Sequence, residues 1–182
     1  MRRGRAGIDR DRVRAAIEGA ERQTSAEIVV SIAPFFLGGV APAARHAFTR
    51  LGVARTRARN GVLIFVVPSR HQVVVLPDEA AEARLHPDVV TDAARRVAAG
   101  FGRDDGTGGL VDGIAVLAGA LAPLFPPAAD DVDELPPFEA PLAIVHSSRS
   151  ASRGWVTSRT QASESRRESS TAAACAASTM AP

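Results

Sequence analysis

The sequence predicts a three-layer α/β/α sandwich around a small mixed β-sheet. Six consecutive large apolar residues, 62–67, follow Gly61 without a polar residue among them. A strand with one solvated face would alternate apolar and polar residues, so this strand is expected to be buried on both faces. The valines and the phenylalanine in the run, and Pro68 after it, favour a strand over a buried helix. Apolar helical stripes occur before and after it along the chain, which is typical of a layered α/β domain.

Two further apolar runs complete the predicted sheet. Residues 27–33 predict the first strand and residues 72–76 predict the third. A helix expected over 42–51 joins the first two strands in a βαβ unit, whose crossover should be right-handed. The short link 68–71 makes the second and third strands an antiparallel hairpin. The sheet is therefore expected to contain both parallel and antiparallel pairs.

The other helices are predicted where apolar residues recur at three- and four-residue spacing. One such stripe runs from Ile8 to Ala20, and a second helix begins at Pro87. The last helix follows the loop 103–109, and Thr107 is expected to cap it. A short helical piece is expected over 79–84. Together these segments provide the helices that cover the sheet.

The chain of 182 residues is long enough for one domain and a tail. Residues 1–7 are expected to form a flexible basic lead, 8–138 the α/β domain, and 139–182 a disordered tail rich in Ser, Ala and Arg. The abrupt change in composition also fits an out-of-frame extension. No apolar segment follows the basic first residues, and no apolar window is long enough to span a membrane. The sequence therefore predicts a soluble cytoplasmic protein without a transmembrane segment.

Charge, cysteine content and missing motifs exclude several classes of function. Residues 1–139 carry 17 arginines and 18 acidic residues, so no nucleic acid partner is expected for the folded part. Cys175 is the only cysteine, which excludes a disulfide framework, a zinc-ligand spacing and a cysteine nucleophile in the domain. The chain contains no GxSxG or GxGxxG motif. Acyl transfer and dinucleotide chemistry are therefore disfavoured.

Three segments of the domain carry motifs that are informative in combination, through their order and spacing. They are 21–30 (ERQTSAEIVV), 59–65 (RNGVLIF) and 106–114 (GTGGLVDGI). In this order and at this spacing they resemble the TPM domain family, also called TPM phosphatase after a plant thylakoid member with acid phosphatase activity. The resemblance covers about residues 8–135 and is nearest to the short, soluble bacterial members. It implies an α/β/α sandwich, and phosphate-ester or divalent-cation chemistry at the loops beyond the sheet.

The chain departs from the family pattern at one point. Family members commonly carry Gly-Asp after the returning strand, where this chain has Pro77-Asp78. The aspartate is kept and the glycine is not. Close approach of a ligand to the backbone is therefore less expected here than in other members.

Three carboxylates are candidates for a site that binds Ca²⁺ or Mg²⁺. Asp78 follows the third strand, and Asp104 and Asp105 lie in the loop before the last helix. These cations prefer several oxygen ligands, and α/β sheets usually place ligands at loops beyond strand ends. The three carboxylates would converge if that strand end and that loop share one side of the sheet. The alternative is that Asp104 and Asp105 are solvated turn residues, and Glu27, at the start of the first strand, is likewise expected at the surface.

Gly106, Thr107 and Gly108 open the last helix and are candidates for binding an anion. Their backbone N–H groups could contact a phosphate, helped by the helix dipole. The segment is not a Walker A loop, because no Gly-Lys-Ser/Thr follows. The alternative is a flexible linker with a threonine cap. A cation and a phosphate that met at this loop would allow a metal-activated water to attack a phosphomonoester.

Two functions remain open at this point. The one that the sequence favours is a TPM-like accessory domain that binds a cation, an unknown protein partner or a small anionic ligand. The alternative is a divalent-cation-dependent, phosphatase-like hydrolase that acts on phosphomonoesters. No catalytic residue is singled out by the sequence, so the choice between the two depends on whether the candidate groups converge.

Overall fold

The computed structural model describes residues 7–34 and 38–127, and the backbone of two short strands beyond them. The helices are α1 (Arg10–Glu21), α2 (Val40–Arg50), α3 (Glu79–Arg84), α4 (Pro87–Gly102) and α5 (Gly106–Leu121). The strands are β1 (Ile28–Ile32), β2 (Val62–Val67), β3 (Gln72–Pro77), β4 (Phe138–Glu139) and β5 (Val156–Arg159). Short 3₁₀ turns, Val53–Arg55 and Pro68–Arg70, lie on either side of β2.

The strands form one mixed sheet in the order β4-β1-β2-β3-β5. β1 and β2 are parallel, with Ile28 opposite Val62, and α2 connects them. β2 and β3 are antiparallel, with Val62 opposite Pro77. The predicted βαβ unit followed by a hairpin is therefore confirmed. The two short strands lie at the edges, where β4 pairs in parallel with β1 and β5 in parallel with β3.

The central strand β2 is buried on both of its faces. Its residues alternate between two hydrophobic clusters, as the alternation of side chains along a strand requires. Phe65 is the most exposed residue of the strand, at 3%. α1, α4 and α5 cover one face of the sheet, and α2 with the turn Val53–Arg55 covers the other. The predicted α/β/α layers are confirmed, with three helices on one side and one long helix on the other.

One short strand differs from what the composition predicts. β5 lies within 139–182, the segment predicted to be disordered, and it pairs with β3 from Gln72 to Val75. The edge of β3 offers unpaired backbone groups, and valine and threonine have high strand propensity, which accounts for the pairing. Apart from Glu139, which ends β4, the rest of that segment and the lead 1–6 lie outside the described residues. Predicted disorder in those parts stays a prediction.

Helices α4 and α5 pack with their backbones in contact. A Cβ atom added to Gly100 would lie 2.4 Å from the Cα of Gly109, and one added to Gly109 would lie 2.8 Å from the Cα of Gly100. A Cβ at Gly113 would lie 2.5 Å from a methyl group of Val97. Three glycines therefore allow these two helices to lie closer together than ordinary side chains permit.

An ion-pair cluster on the surface of α4 makes the stability of the fold depend on pH in a predictable way. Arg96 Nε donates a hydrogen bond to Asp92 Oδ2 at 2.8 Å, and Arg95 Nη2 donates to Oδ1 of the same carboxylate. These hydrogen bonds lower the pKa of Asp92 below its ordinary value of 3.8, and the bond from Arg96 has the largest effect. A group whose pKa is lowered by folding stabilises the protein above its unfolded pKa. That contribution is lost as the pH falls through the folded pKa.

We therefore expect the melting temperature of wild type to exceed that of Asp92→Asn by a small, constant amount between pH 7 and pH 5. The difference should shrink as the pH falls below about 4, because the paired carboxylate then becomes protonated. Thermal melts followed by circular dichroism at matched ionic strength measure this difference. A gap that stays constant down to pH 2.5 would contradict the assignment.

Candidate functional site

At one end of the central strands, polar side chains lie together on the face of the sheet that α2 covers. Because β3 runs antiparallel to its neighbour, its carboxyl end meets the amino ends of β1 and β2. Val62 N donates to Glu27 O at 2.8 Å, and Asp78 N donates to Gly61 O at 2.7 Å. Glu27, Gly61 and Asp78 thus form one row across three strands, which we call the carboxylate row. The Cα atoms of its two acids are two strand spacings, roughly 10 Å, apart.

The carboxylate row faces α2 and is covered. Glu27 lies two residues before Val29, and Asp78 two residues after Leu76, both of which belong to the α2-side cluster. A Cβ added to Gly61 would lie 2.7 Å from a methyl group of Val53, so the turn Val53–Arg55 lies directly over the row. Glu27 is only 8% exposed. The prediction that it lies at the surface is wrong, because the parallel neighbour and the covering turn enclose the end of the strand.

Asp78 is a buried carboxylate with a cationic neighbour. Its side chain is 5% exposed, and Oδ2 lies 3.0 Å from Arg59 Nε. Within the described residues Oδ2 accepts no hydrogen bond, so the contact is an ion pair without good N–H alignment. The guanidinium also donates to Ala54 O at 2.6 Å and lies 3.6 Å from Glu79 Oε2. Asp78 therefore has its charge compensated from inside the domain.

Arg59 holds this position with an unusual backbone conformation. Its φ angle is +53°, in the left-handed region, which is unfavourable by roughly 1–2 kcal/mol for a residue with a Cβ atom. The neighbouring Asn60 is buried and donates from Nδ2 to Ser25 O at 2.8 Å, which ties the start of β2 to the start of β1. Sequence reasoning missed the pairing of Arg59 with Asp78. The only signal was the Arg-Asn-Gly motif before the strand, which carries no information on its partner.

Asp104 and Asp105 lie elsewhere. Both are exposed, and Asp105 is the N-cap of α5, where its Oδ1 accepts from Gly108 N at 2.9 Å. Asp104 has a φ of +60° in the tight turn between α4 and α5. In the part of the chain that the structure describes, no three His, Cys, Asp or Glu residues are grouped to hold a metal ion. The predicted convergence with Asp78 is therefore not observed, since α4, about 24 Å long, carries the chain away from β3 to this turn.

The segment Gly106–Gly108 is the packed first turn of α5. Thr107 Oγ1 accepts a hydrogen bond from Asp9 N at 3.0 Å, and the N–H of Gly108 is taken by Asp105. A Cβ added to Gly106 would lie 2.8 Å from Ile8 Cδ1. Thr107 was predicted to cap this helix, but Asp105 occupies the cap and Thr107 instead secures the start of α1. Of the three backbone N–H groups expected to contact a phosphate, that of Gly108 is thus engaged within the fold.

No helix in the described part of the chain combines the length and apolar character needed to cross a bilayer.

Comparison with solved structures identifies similar folds. The NMR structure of BA42 from the psychrophilic bacterium Bizionia argentinensis matches with a TM-score of 0.69 and 29% identity, covering 78% of this chain and 100% of that one. The N-terminal domain of the cg2496 protein from Corynebacterium glutamicum matches with a TM-score of 0.48 and 13% identity, covering 80% of this chain and 87% of that one. No curated protein sequence matches the chain.

The family assignment depends on the sequence itself. The family model described as the TPM domain matches residues 7–120, which is well over half of the chain. This range contains β1, β2, β3 and the four helices α1 to α4 completely, and nearly all of α5. The chain belongs to the TPM domain family.

Proposed function

We propose that this chain is a non-catalytic accessory domain that acts by binding a protein partner or a divalent cation. The observation that supports this function is that the candidate reactive groups are engaged in contacts within the domain. Asp78 is paired with Arg59, and the side chains of Asp105 and Thr107 accept hydrogen bonds from backbone N–H groups. A general base must come within about 3 Å of the proton that it removes. Groups held in this way are poorly placed to do so.

The carboxylate row is the better of the two candidate places for a cation. Ca²⁺ takes six to eight oxygen ligands, and the row offers two carboxylates on one side of the sheet. The buried Oδ2 of Asp78 accepts no hydrogen bond from the described residues and has spare capacity as a ligand. Arg59 already compensates this charge, so a cation has to displace its guanidinium. The side chain of Arg59 is 46% exposed, which leaves it room to move. Because a cation competes with the guanidinium of Arg59 for Asp78, we expect Ca²⁺ or Mg²⁺ to bind only weakly.

Thermal melts with increasing CaCl₂ or MgCl₂, against NaCl at equal ionic strength, test the cation half of the proposal. A ligand that binds only the folded state stabilises it by RT ln(1 + [L]/Kd). We expect a rise in melting temperature of a few degrees at millimolar cation, which Asp78→Asn should remove and Asp104→Ala with Asp105→Ala should leave in place. An unchanged melting temperature across both titrations would rule out the proposal that the domain binds Ca²⁺ or Mg²⁺.

A phosphomonoester assay tests the non-catalytic character. We expect no turnover of p-nitrophenyl phosphate by the wild-type chain with either cation. Turnover that disappears when Asp104 and Asp105 are both replaced by alanine would contradict the proposal and would favour a phosphatase-like hydrolase. The melting curve of the double variant is the control, since both side chains are exposed and their loss should leave the domain folded.

A further inference from the structure

The outer edge of β3 is a place where the sheet accepts another strand. β5 pairs with β3 in parallel, with Gln72 opposite Val156 and Val75 opposite Arg159. We call the paired stretch Gln72–Val75 the acceptor edge. Among the elements that the structure describes, β5 alone pairs with this edge. α4 lies against both β3 and β5, so an added strand contacts this helix as well as the edge.

The hydrogen bonds of the hairpin show which backbone groups of β3 point outward. Asp78 N donates to Gly61 O across the hairpin. In an antiparallel pair, every second residue is bonded to the partner strand, and the residues between them direct their N–H and C=O groups away from it. Counting back from Asp78, the outward residues are Pro77, Val75 and Val73. The N–H groups of Val73 and Val75 are therefore offered to an added strand.

The acceptor edge is short and has defined limits. Pro77 faces outward and has no N–H to donate, so pairing stops before it at the carboxyl end of β3. At the other end, His71 has a φ of +52°, which takes the backbone out of the extended conformation. The observed pairing lies between these two residues. An occupant therefore contributes a short extended segment such as β5, which has 4 residues.

β5 is held weakly enough to be displaced. Its pairing orders four residues in return for hydrogen bonds to Val73 and Val75, and the net gain from so few bonds barely offsets the conformational entropy that is lost. Residues 140–155 connect β5 to β4, so β5 competes as a tethered ligand with an effective concentration of roughly millimolar. A partner segment that makes better contacts at the acceptor edge can therefore replace it.

The register shows which contacts a better occupant would make. Val73 and Val75 belong to the hydrophobic cluster on the side of α4, and residues opposite each other in a parallel pair point to the same face. β5 supplies Thr157 and Arg159 at these two positions of the register. Apolar residues at the same positions would bury more apolar surface against this cluster. The preferred occupant is thus an extended segment with apolar residues at alternate positions.

We propose that the acceptor edge is the docking surface for such a segment of a partner protein, and that β5 occupies the edge until the partner displaces it. This inference rests on the proposed binding function and states how a protein partner is held. In strand addition, main-chain hydrogen bonds supply the affinity and alternate side chains supply the specificity. The partner segment runs parallel to β3, as β5 does, and β-branched residues suit it.

Amide hydrogen exchange followed by NMR on the full chain tests whether β5 covers the edge. The register of the parallel pair directs Ser158 N–H to Val73 O, so Ser158→Pro removes a donor from β5. We expect the amides of Val73 and Val75 to exchange at least tenfold faster in this variant, whereas that of Val74, which is bonded to β2, should be unchanged. Ser163→Pro, outside β5, is the matched control and should leave all three rates unchanged.

Fluorescence anisotropy with a labelled peptide of residues 152–163 of this chain tests whether the edge accepts a strand from another molecule. We expect the full chain with Ser158→Pro to bind the peptide at least tenfold more tightly than wild type, because β5 no longer competes. A peptide with valine in place of Thr157 and Arg159 should bind several-fold more tightly still. A peptide with proline in place of Ser158 should not bind. Thermal melts verify that the variant chain is folded.

Three results would overturn the assignment. Unchanged exchange of the Val73 and Val75 amides in Ser158→Pro would show that β5 does not cover the edge. Equal binding of the 152–163 peptide and its proline counterpart to the variant chain would show that the edge does not accept a strand. Wild-type dimers in sedimentation velocity that disappear in Ser158→Pro would assign the edge to β5 of a second copy. Failure here is separable from failure of the proposed function, which would appear as phosphomonoester turnover.

Discussion

Replacing Gly100 with alanine is expected to lower the free energy of unfolding by about 3 kcal/mol. The new Cβ atom would lie 2.4 Å from Gly109 Cα, 2.6 Å from Gly109 N and 2.7 Å from Asp105 O. All three atoms belong to the backbone, so no side chain can rotate to make room, and α4 and α5 have to move apart. Overpacking a close contact typically costs about 1–3 kcal/mol and occasionally more. Alanine favours a helix over glycine by roughly 0.5–1 kcal/mol, so the loss would come from the contact alone.

Urea denaturation followed by circular dichroism measures this loss, and thermal melting should show a fall of roughly 10 °C for a domain of this size. Gly119→Ala is the matched control. Gly119 also lies in a helix, α5, but a Cβ atom there has no atom within 4 Å. We expect this variant to be unchanged or more stable by about 0.5–1 kcal/mol. A neutral effect of Gly100→Ala would mean that the two helices do not pack as closely as described.

The glycines at the start of α5 have two possible uses, of which the sequence suggests an anion site at Gly106, Thr107 and Gly108 and the structure shows close helix packing. Glycines allow both the approach of an anion to free N–H groups and the approach of one helix to another. The sequence alone does not distinguish these uses, because the difference lies in what faces each glycine. In the structure, Gly109 faces Gly100 and Gly113 faces Val97. The motif therefore has a structural explanation that needs no ligand.

The fold could be predicted because its main signals are local. An uninterrupted apolar run at 62–67 requires cover on both faces, and helical stripes on both sides of it provide that cover. The tight turn after Val67 predicts the hairpin that is observed. Each of these inferences uses residues that are close together in the chain. Such local patterns lead to the same local structure in most sequences.

The candidate site was less predictable because it depends on distant residues. Arg59 and Asp78 meet through strand register, and nothing near either residue indicates the other. Convergence of Asp78 with the 103–105 turn required both to lie at one end of the domain, and the length of α4 prevents it.

Arg59→Ala is expected to lower the free energy of unfolding by about 2 kcal/mol. Removing one partner of a fully buried pair costs about 3–5 kcal/mol, because the remaining charge is left uncompensated. Arg59 is 46% exposed, so solvent screening reduces that figure. The carboxylate of Asp78, 5% exposed, would lose its counter-charge. Arg55→Ala is the control, because Arg55 is an exposed arginine four residues before Arg59 that forms no ion pair with the described residues. Its loss should be nearly neutral.

A double-mutant cycle with Asp78→Asn separates the ion pair from the other roles of Arg59. If the pair acts as described, the double variant should be more stable than the sum of the single losses predicts, by about 1 kcal/mol or more. Arg59→Gly should be more stable than Arg59→Ala, because glycine adopts a φ of +53° without strain. Additive single losses would show that the 3.0 Å contact contributes nothing. The same variants probe the cation proposal, since Ca²⁺ should stabilise Arg59→Ala more than wild type when the guanidinium no longer competes for Asp78.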